Sequence, residues 1–123
     1  MGFLPRRKTG KETTGIDQAL AGRIRQVLGP RPEVTERRMF GGLAFLVNGH
    51  MCCGINGEDL MLRVGPEGQA DALARPGARP MDFTGRPLRG FVYVDASGYR
   101  TPSALASWID RALRFVESLP PKS

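Results

Sequence analysis

The sequence predicts an α+β domain in which helices cover one face of a mostly antiparallel sheet. Two Asn-Gly steps, Asn48-Gly49 and Asn56-Gly57, divide an apolar stretch into runs short enough to be strands. Such steps favour two-residue hairpin turns, because Asn and Gly accept positive φ at little cost. Apolar residues at helical spacing lie on both sides of this stretch. Strands joined by tight turns and flanked by helices indicate a two-layer sandwich.

The predicted order is helix, three to four strands, helix, two strands, helix. The first helix is expected from about Ile16 to Leu28, with Thr14 as its N-cap and Gly29-Pro30 as its end. Gly41-Gly42 should then bend or bulge the chain before the strand that begins at Leu43.

The second half of the chain predicts a short helix, two strands and a long helix. The short helix is expected over residues 66–75, with a Pro in its first turn and another just after its end. Met81 and Phe83 alternate as in a strand, and Phe91–Val94 is a continuous apolar run typical of an interior strand. The last helix is expected over residues 102–118. Its apolar stripe consists of Leu105, Trp108, Ile109, Ala112, Leu113 and Val116.

Two-residue turns fix which side chains share a face of the predicted sheet, with Val47 opposite His50 and Ile55 opposite Glu58. The face expected under the helices carries Ala44, Leu46, Met51, Cys53, Ile55, Leu60, Leu62 and Val64. The opposite face carries Leu43, Phe45, Val47, His50, Cys52, Gly54, Asp59, Met61 and Arg63.

Five apolar residues from adjacent strands on that second face would form one patch, which needs a cover. A second copy of the chain or another protein could supply it, although a terminal segment could also, and scattered exposed apolar side chains are common. The predicted partner-binding residues are Phe45, Val47, His50, Cys52, Met61 and Arg63.

Length and composition favour one domain without a membrane span. The 123 residues fit a single core, and we expect residues 1–13 to be a flexible basic tail and residues 14–119 to be the domain. The longest apolar run falls well short of the roughly 20 residues that cross a bilayer. No apolar signal-peptide core is present near the start, so a cytoplasmic location is expected.

The formal charge of +6 and the pI near 10.1 raise the alternative of nucleic-acid binding. Its candidate residues are Arg6, Arg7, Lys8, Lys11, Arg37 and Arg38. The basic tail has no interleaved aromatic side chains on which bases could stack, and short basic termini are more often solvated. Nucleic-acid binding is therefore the second hypothesis, behind protein binding.

Enzymatic chemistry is disfavoured. Cys52 and Cys53 are adjacent, so strand alternation would place them on opposite faces, and no disulfide is expected. His50 or Arg63 could lower the pKa of a Cys52 thiol, but free cysteines are mostly apolar core residues. The sequence has no Ser/His/Asp set, no metal-ligand spacing and no Gly-rich phosphate loop, so neither a cofactor nor a metal is expected.

Several of these motifs together resemble the N-terminal domain of TfoX, also called Sxy. They are the run Arg37-Arg38-Met39-Phe40-Gly41-Gly42, then Phe45, Gly49-His50-Met51, Leu60–Val64 and the helix that contains Trp108. The resemblance covers about residues 15 to 118. It implies a small α+β domain of the secretion-chaperone-like kind, found in regulators of natural competence and as short stand-alone proteins, and it implies a regulatory function.

The chain departs from the family pattern at a few points. Met61 stands where we expect a Tyr, and Asp95-Ala96-Ser97 differs from the loop that usually precedes the last helix. After Pro120 nothing corresponds to the C-terminal domain of the full regulator, so we expect a stand-alone form. These departures concern binding detail more than the fold.

Overall fold

The computed structural model describes residues 17–39, 41–83 and 86–120. The predicted tail at residues 1–13 and the predicted cap Thr14 lie outside the described residues. Within them, the helices are α1 Gln18–Leu28, α2 Gln69–Leu73, α3 Ala96–Tyr99 and α4 Pro102–Glu117. The strands are β1 Val34–Met39, β2 Gly42–Val47, β3 His50–Asn56, β4 Asp59–Arg63, β5 Ala78–Phe83 and β6 Arg86–Val94.

The six described strands form one sheet in the order β1-β2-β3-β4-β6-β5, and every neighbouring pair is antiparallel. This confirms the predicted fold class and the predicted interior position of β6. β1 is the first of the four strands before α2 and pairs with β2 along its whole length. The bend expected at Gly41-Gly42 links β1 to β2, and Gly41 has a φ of 76°.

Local capping explains where the two longer helices begin. Asp17 precedes α1, and its carboxylate accepts a hydrogen bond from the backbone N–H of Leu20 at 3.1 Å. Thr101 caps α4 in the same way through the N–H of Ala104 at 3.1 Å, and a Pro fills the first turn. The predicted apolar stripe of α4 is confirmed, because all six of its residues are buried.

The four described helices lie on one side of the sheet. One apolar cluster joins side chains from α1, α2, α3 and α4 to one sheet face, whereas a second cluster contains only strand residues. The second cluster consists of Ala44, Leu46, Met51, Met61 and Met81, with Met39, Leu88, Phe91 and Tyr93 packed around it. We call this strand-only cluster the methionine face.

The turn at Asn48-Gly49 is confirmed, but strand alternation breaks in the middle of β3. Val47 pairs with His50, and both turn residues have positive φ. Leu46 then pairs with Met51 and Phe45 with Cys53, so Cys52 is an extra residue in a β-bulge. In the second hairpin Asn56 pairs with Asp59, so the turn lies one residue later than predicted.

The predicted faces of β2 and of the start of β3 were therefore wrong. Leu43, Phe45, Val47 and Cys52 were expected on the open face, yet they belong to the cluster under the helices. Ala44, Leu46 and Met51 were expected under the helices and lie on the methionine face instead. After the bulge, the assignments of Cys53, Ile55, Leu60, Leu62, Val64 and Met61 are confirmed.

Candidate protein-interaction surface

The six predicted partner-binding residues do not form one exposed patch. Phe45, Val47 and Cys52 are 0% exposed under the helices, and Met61 is 0% exposed on the methionine face. His50 is half-buried at the start of β3, where its Nε2–H donates to the carbonyl oxygen of Pro120. The predicted residues therefore lie on two different faces of the sheet, and His50 lies beside the segment that follows α4.

Arg63 lies at the end of β4 between two aromatic rings. Its guanidinium carbon is 5.6 Å from the ring centre of Phe91 and 5.6 Å from that of Phe115. Both distances suit cation–π attraction. Arg63 therefore joins the sheet to α4, which is a role in packing that strand alternation alone did not predict.

The two cysteines lie together in the core. The bulge turns both side chains toward the helices, and both residues are 0% exposed. The hydrogen bond between the two thiols, followed by burial, raises the pKa of Cys53 well above its usual value. The prediction that strand alternation places the two cysteines on opposite faces was wrong, because the bulge puts Cys52 on the helix side as well.

A cavity of about 770 Å³ lies between the loop after β4 and α4. Its arginines already have carboxylate partners. Arg111 is 2.8 Å from Asp71, and Arg114 is 2.7 Å from Asp110. The charges that line this cavity are thus largely balanced within the chain, which leaves little reason for a charged ligand to bind there.

A more distinctive surface surrounds β1, one edge of the sheet. Residues 35–38 are exposed, and β1 pairs only with β2 among the described strands. All six of its residues pair with β2 without a register shift. β1 therefore presents a regular row of backbone groups on its outer side.

A groove of about 410 Å³ lies beside β1 on the helix side. Its wall and floor are mostly apolar, formed by Leu28, Gly29, Pro30, Pro32, Val34 and Phe45. Arg25, Arg31 and Glu36 provide the charged part of its lining. We call this cavity the β1 groove.

Glu36 is held in an ion pair beside this groove. Both carboxylate oxygens accept hydrogen bonds from Arg25 at 2.7 Å, and this contact lowers the pKa of Glu36 and raises that of Arg25. The two side chains are 37% and 48% exposed, so the pair contributes little stability but fixes the position of both groups.

Arg37 and Arg38 differ from their neighbour Glu36. Both are exposed, and within the described part of the chain neither has a carboxylate at ion-pairing distance. Arg37 is opposite Ala44, which belongs to the methionine face, and Arg38 is opposite Leu43, on the helix side. The two cations therefore point to opposite sides of the same edge. Arg6, Arg7, Lys8 and Lys11 lie outside the described residues.

The sequence carried part of the signal for this surface. Arg37 and Arg38 were identified as candidates, although for nucleic acid, and Phe45 forms part of the groove although not of an exposed patch. Pro30, Pro32 and the Arg25–Glu36 pair were missed. Two prolines on either side of an arginine at the end of a helix could have indicated a rigid wall next to the first strand.

Two further features are absent from the described residues. No cluster of three or more His, Cys, Asp or Glu side chains is arranged to hold a metal ion there. No helix in that part of the chain is both long and apolar enough to cross a membrane.

The structure defines a small α+β domain whose sheet has a regular, exposed edge at β1. Residues 26–116 match the model of the TfoX N-terminal domain, and the chain belongs to that family. The family is a regulatory, non-catalytic domain, so the chain is a competence-regulator-like module. No curated protein and no solved structure is significantly similar to the chain.

Proposed function

We propose that the chain is a non-enzymatic regulatory module that acts in the cytoplasm by binding a partner protein at β1 and the β1 groove. The observation that carries the proposal is the regular, exposed edge of β1 beside an apolar groove. Extended segments bind sheet edges of this kind through main-chain hydrogen bonds, and neighbouring pockets give specificity. Family membership supports the regulatory part of the proposal.

The methionine face supports the proposal less well than β1 does. Four of the five methionines of the chain lie on or around it, and methionine-rich surfaces can adapt to different partners. However, Met61 and Met81 are 0% and 1% exposed, so little of this face is open to a partner. Its half-buried rim could extend a contact that begins at β1, since Met39 belongs to both.

The test is affinity capture from the native cytoplasm with the unmodified chain, followed by reconstitution with the purified partner. A double variant, Arg37→Glu with Arg38→Glu, should lose the partner. The matched control is Arg114→Glu, whose side chain is 80% exposed on α4, far along the chain from β1. Equal binding by both variants would exclude β1 as the contact surface.

Self-association is measured on the same samples by light scattering. The unmodified chain should have the mass of a monomer if β1 serves another protein. A dimer that the double variant abolishes would instead identify a second copy of the chain as the partner, which the sequence had also suggested. Absence of both a partner and a dimer would contradict the proposed function.

Nucleic-acid binding is the second candidate, favoured by Arg37 and Arg38, which lack carboxylate partners in the described residues. Most other described arginines on the surface are paired, including Arg25, Arg31 and Arg79. Phosphate binding would make affinity for duplex DNA fall steeply with salt. Deleting residues 1–13, which we expect to leave the domain folded, should then weaken that affinity further.

A further inference from the structure

We infer that the partner contributes an extended segment with two consecutive acidic residues, which adds to the sheet as a strand next to β1. The inference rests on the proposed function and specifies the chemistry of its partner. It depends on three features of β1: its regular edge, its two cations without carboxylate partners among the described residues, and the apolar groove beside it.

The two edges of the sheet differ in their ability to accept another strand. β5 contains Pro80, which has no N–H to donate, and its pairing with β6 shifts between Pro80 and Asp82. Such irregularities protect sheet edges from pairing. β1 contains neither Pro nor Gly and has no register shift, so its protection consists of charged side chains alone.

The charges on β1 select what can pair there. Glu36 is already neutralised by Arg25, whereas Arg37 and Arg38 have no such partner in the described chain. On an added strand, the residues directly opposite these two arginines would be consecutive, one on each face of the sheet. Acidic side chains at both positions would therefore meet one arginine each.

The β1 groove specifies the next position of the segment. The residue opposite Glu36 would lie on the helix side, two positions from the residue opposite Arg38. Val34 and Glu36 line the groove from the sheet side, with Leu28 and Phe45 among its apolar members. An apolar side chain at that position would enter the groove. The segment thus places an apolar residue opposite Glu36 and acidic residues opposite Arg37 and Arg38.

Other occupants fit this edge less well. A second copy of the chain would bring its own β1, with Arg37 and Arg38, to the contact and would add repulsion. The first twelve residues carry Arg6, Arg7, Lys8 and Lys11 against a single acid, so they repeat the charge of the edge. An acidic segment from another protein is complementary to both the cations and the net charge of +6.

The experiment uses the whole chain and a labelled, capped synthetic peptide rich in Thr and Val with a central Leu-Glu-Glu-Leu, which presents the pattern to β1 in either strand direction. Matched peptides carry Leu-Lys-Lys-Leu or Leu-Gln-Gln-Leu at the centre. Fluorescence anisotropy should show binding of the Glu-Glu peptide, and amide chemical shifts of residues 34–39 should change more than those of β5. On an added strand, every second residue directs its backbone N–H toward β1, and N-methylation removes that donor. Methylating these residues should therefore abolish binding, whereas methylating the alternate residues should not.

Charge reversal gives the sharpest test. Arg37→Glu with Arg38→Glu should weaken binding of the Glu-Glu peptide by at least about tenfold, since two attractive cross-strand pairs become repulsive. The same variant should now prefer the Lys-Lys peptide, while Arg114→Glu should behave like the unmodified chain. Far-UV circular dichroism should show that both variants remain folded, because all three side chains are exposed.

Four outcomes would overturn the inference. Equal binding of the three peptides would show that the acidic pair is not recognised, and shifts confined to other strands would show that β1 is not the site. Tighter binding of random duplex DNA than of peptide, dependent on both arginines, would identify a phosphate contact. If a captured protein binds at β1 but the acidic peptide does not, the inference fails while the proposed function stands.

Discussion

Phe45→Ala should destabilise the chain strongly, because Phe45 is a core residue. Its side chain is 0% exposed in the cluster between the sheet and the helices. Truncating a buried Phe to Ala costs about 3–5 kcal/mol through lost apolar contacts and the cavity left behind. Against a total of about 5–15 kcal/mol for an ordinary domain, this is a large fraction of the stability. The midpoint of thermal unfolding should fall by about 10–20 °C.

The measurement is urea unfolding followed by circular dichroism, with the slope of the free energy against urea checked for two-state behaviour. Phe91→Ala is the matched control, because Phe91 is only half-buried at the rim of the methionine face. This control should lower the free energy of unfolding by only about 1–2 kcal/mol, because Phe91 buries less apolar area than Phe45. Phe45→Asp should fail to fold, since it would bury an unpaired charge.

Phe45 is not a core residue if the free energy of unfolding of Phe45→Ala is within about 1 kcal/mol of that of the unmodified chain, because so small a loss is typical of surface sites. A folded Phe45→Asp variant that has lost only partner binding would restore the original assignment of Phe45 to an open face. The two faces are thus distinguished by stability alone, without knowledge of the partner.

The remaining predictions concern the backbone, the thiols and one carboxylate. Gly42→Ala should disrupt the pairing of β2 with β3, because a Cβ there would lie 1.8 Å from a backbone oxygen of β3. Gly22→Ala, in α1 with nothing within 4 Å of the new Cβ, should instead stabilise the folded chain by about 0.5–1 kcal/mol. Differential scanning calorimetry measures both effects. Cys52 and Cys53 should react with a thiol reagent only as fast as the protein opens, so rapid labelling of either in native conditions would contradict their burial. Glu36 has a lowered pKa in the folded chain, so its contribution is present above its unfolded pKa and is lost as pH falls through the folded pKa. Glu36→Gln should therefore remove at most about 0.5 kcal/mol near neutral pH, the amount expected for a solvent-screened pair, and should have no effect in strong acid.

Element types and order followed from the sequence because local signals were strong. The helix that contains Trp108 has a Thr-Pro start and a consistent apolar stripe, and its six predicted stripe residues are all buried. The turn at Asn48-Gly49 forms as predicted because both of its residues accept positive φ. The short helix α3 was not predicted, and a four-residue helix capped by Asp95 leaves little periodicity to detect.

The faces of the sheet could not be predicted with the same success, for a physical reason. All six residues of β2 are buried, so period-two alternation contains no contrast between an apolar and a polar side. The bulge at Cys52 then changes the alternation within β3 without a Gly, Pro or charge to mark it. Only after the bulge, where Cys53 and Ile55 continue into the second hairpin, do the predicted and observed faces agree.

The burial of both sheet faces supports the proposal that the interaction surface is at an edge. One face is covered by the helices, and on the other the central side chains Met61 and Met81 are packed against half-buried neighbours such as Phe91 and Tyr93. A partner that bound flat on the methionine face would gain little new apolar burial there, because the central area is already removed from water. At β1, by contrast, backbone groups, two arginines without carboxylate partners among the described residues and an apolar groove are all accessible within one strand length. Binding at that edge would satisfy groups that the described part of the chain leaves to water, and it would do so without disturbing either core cluster.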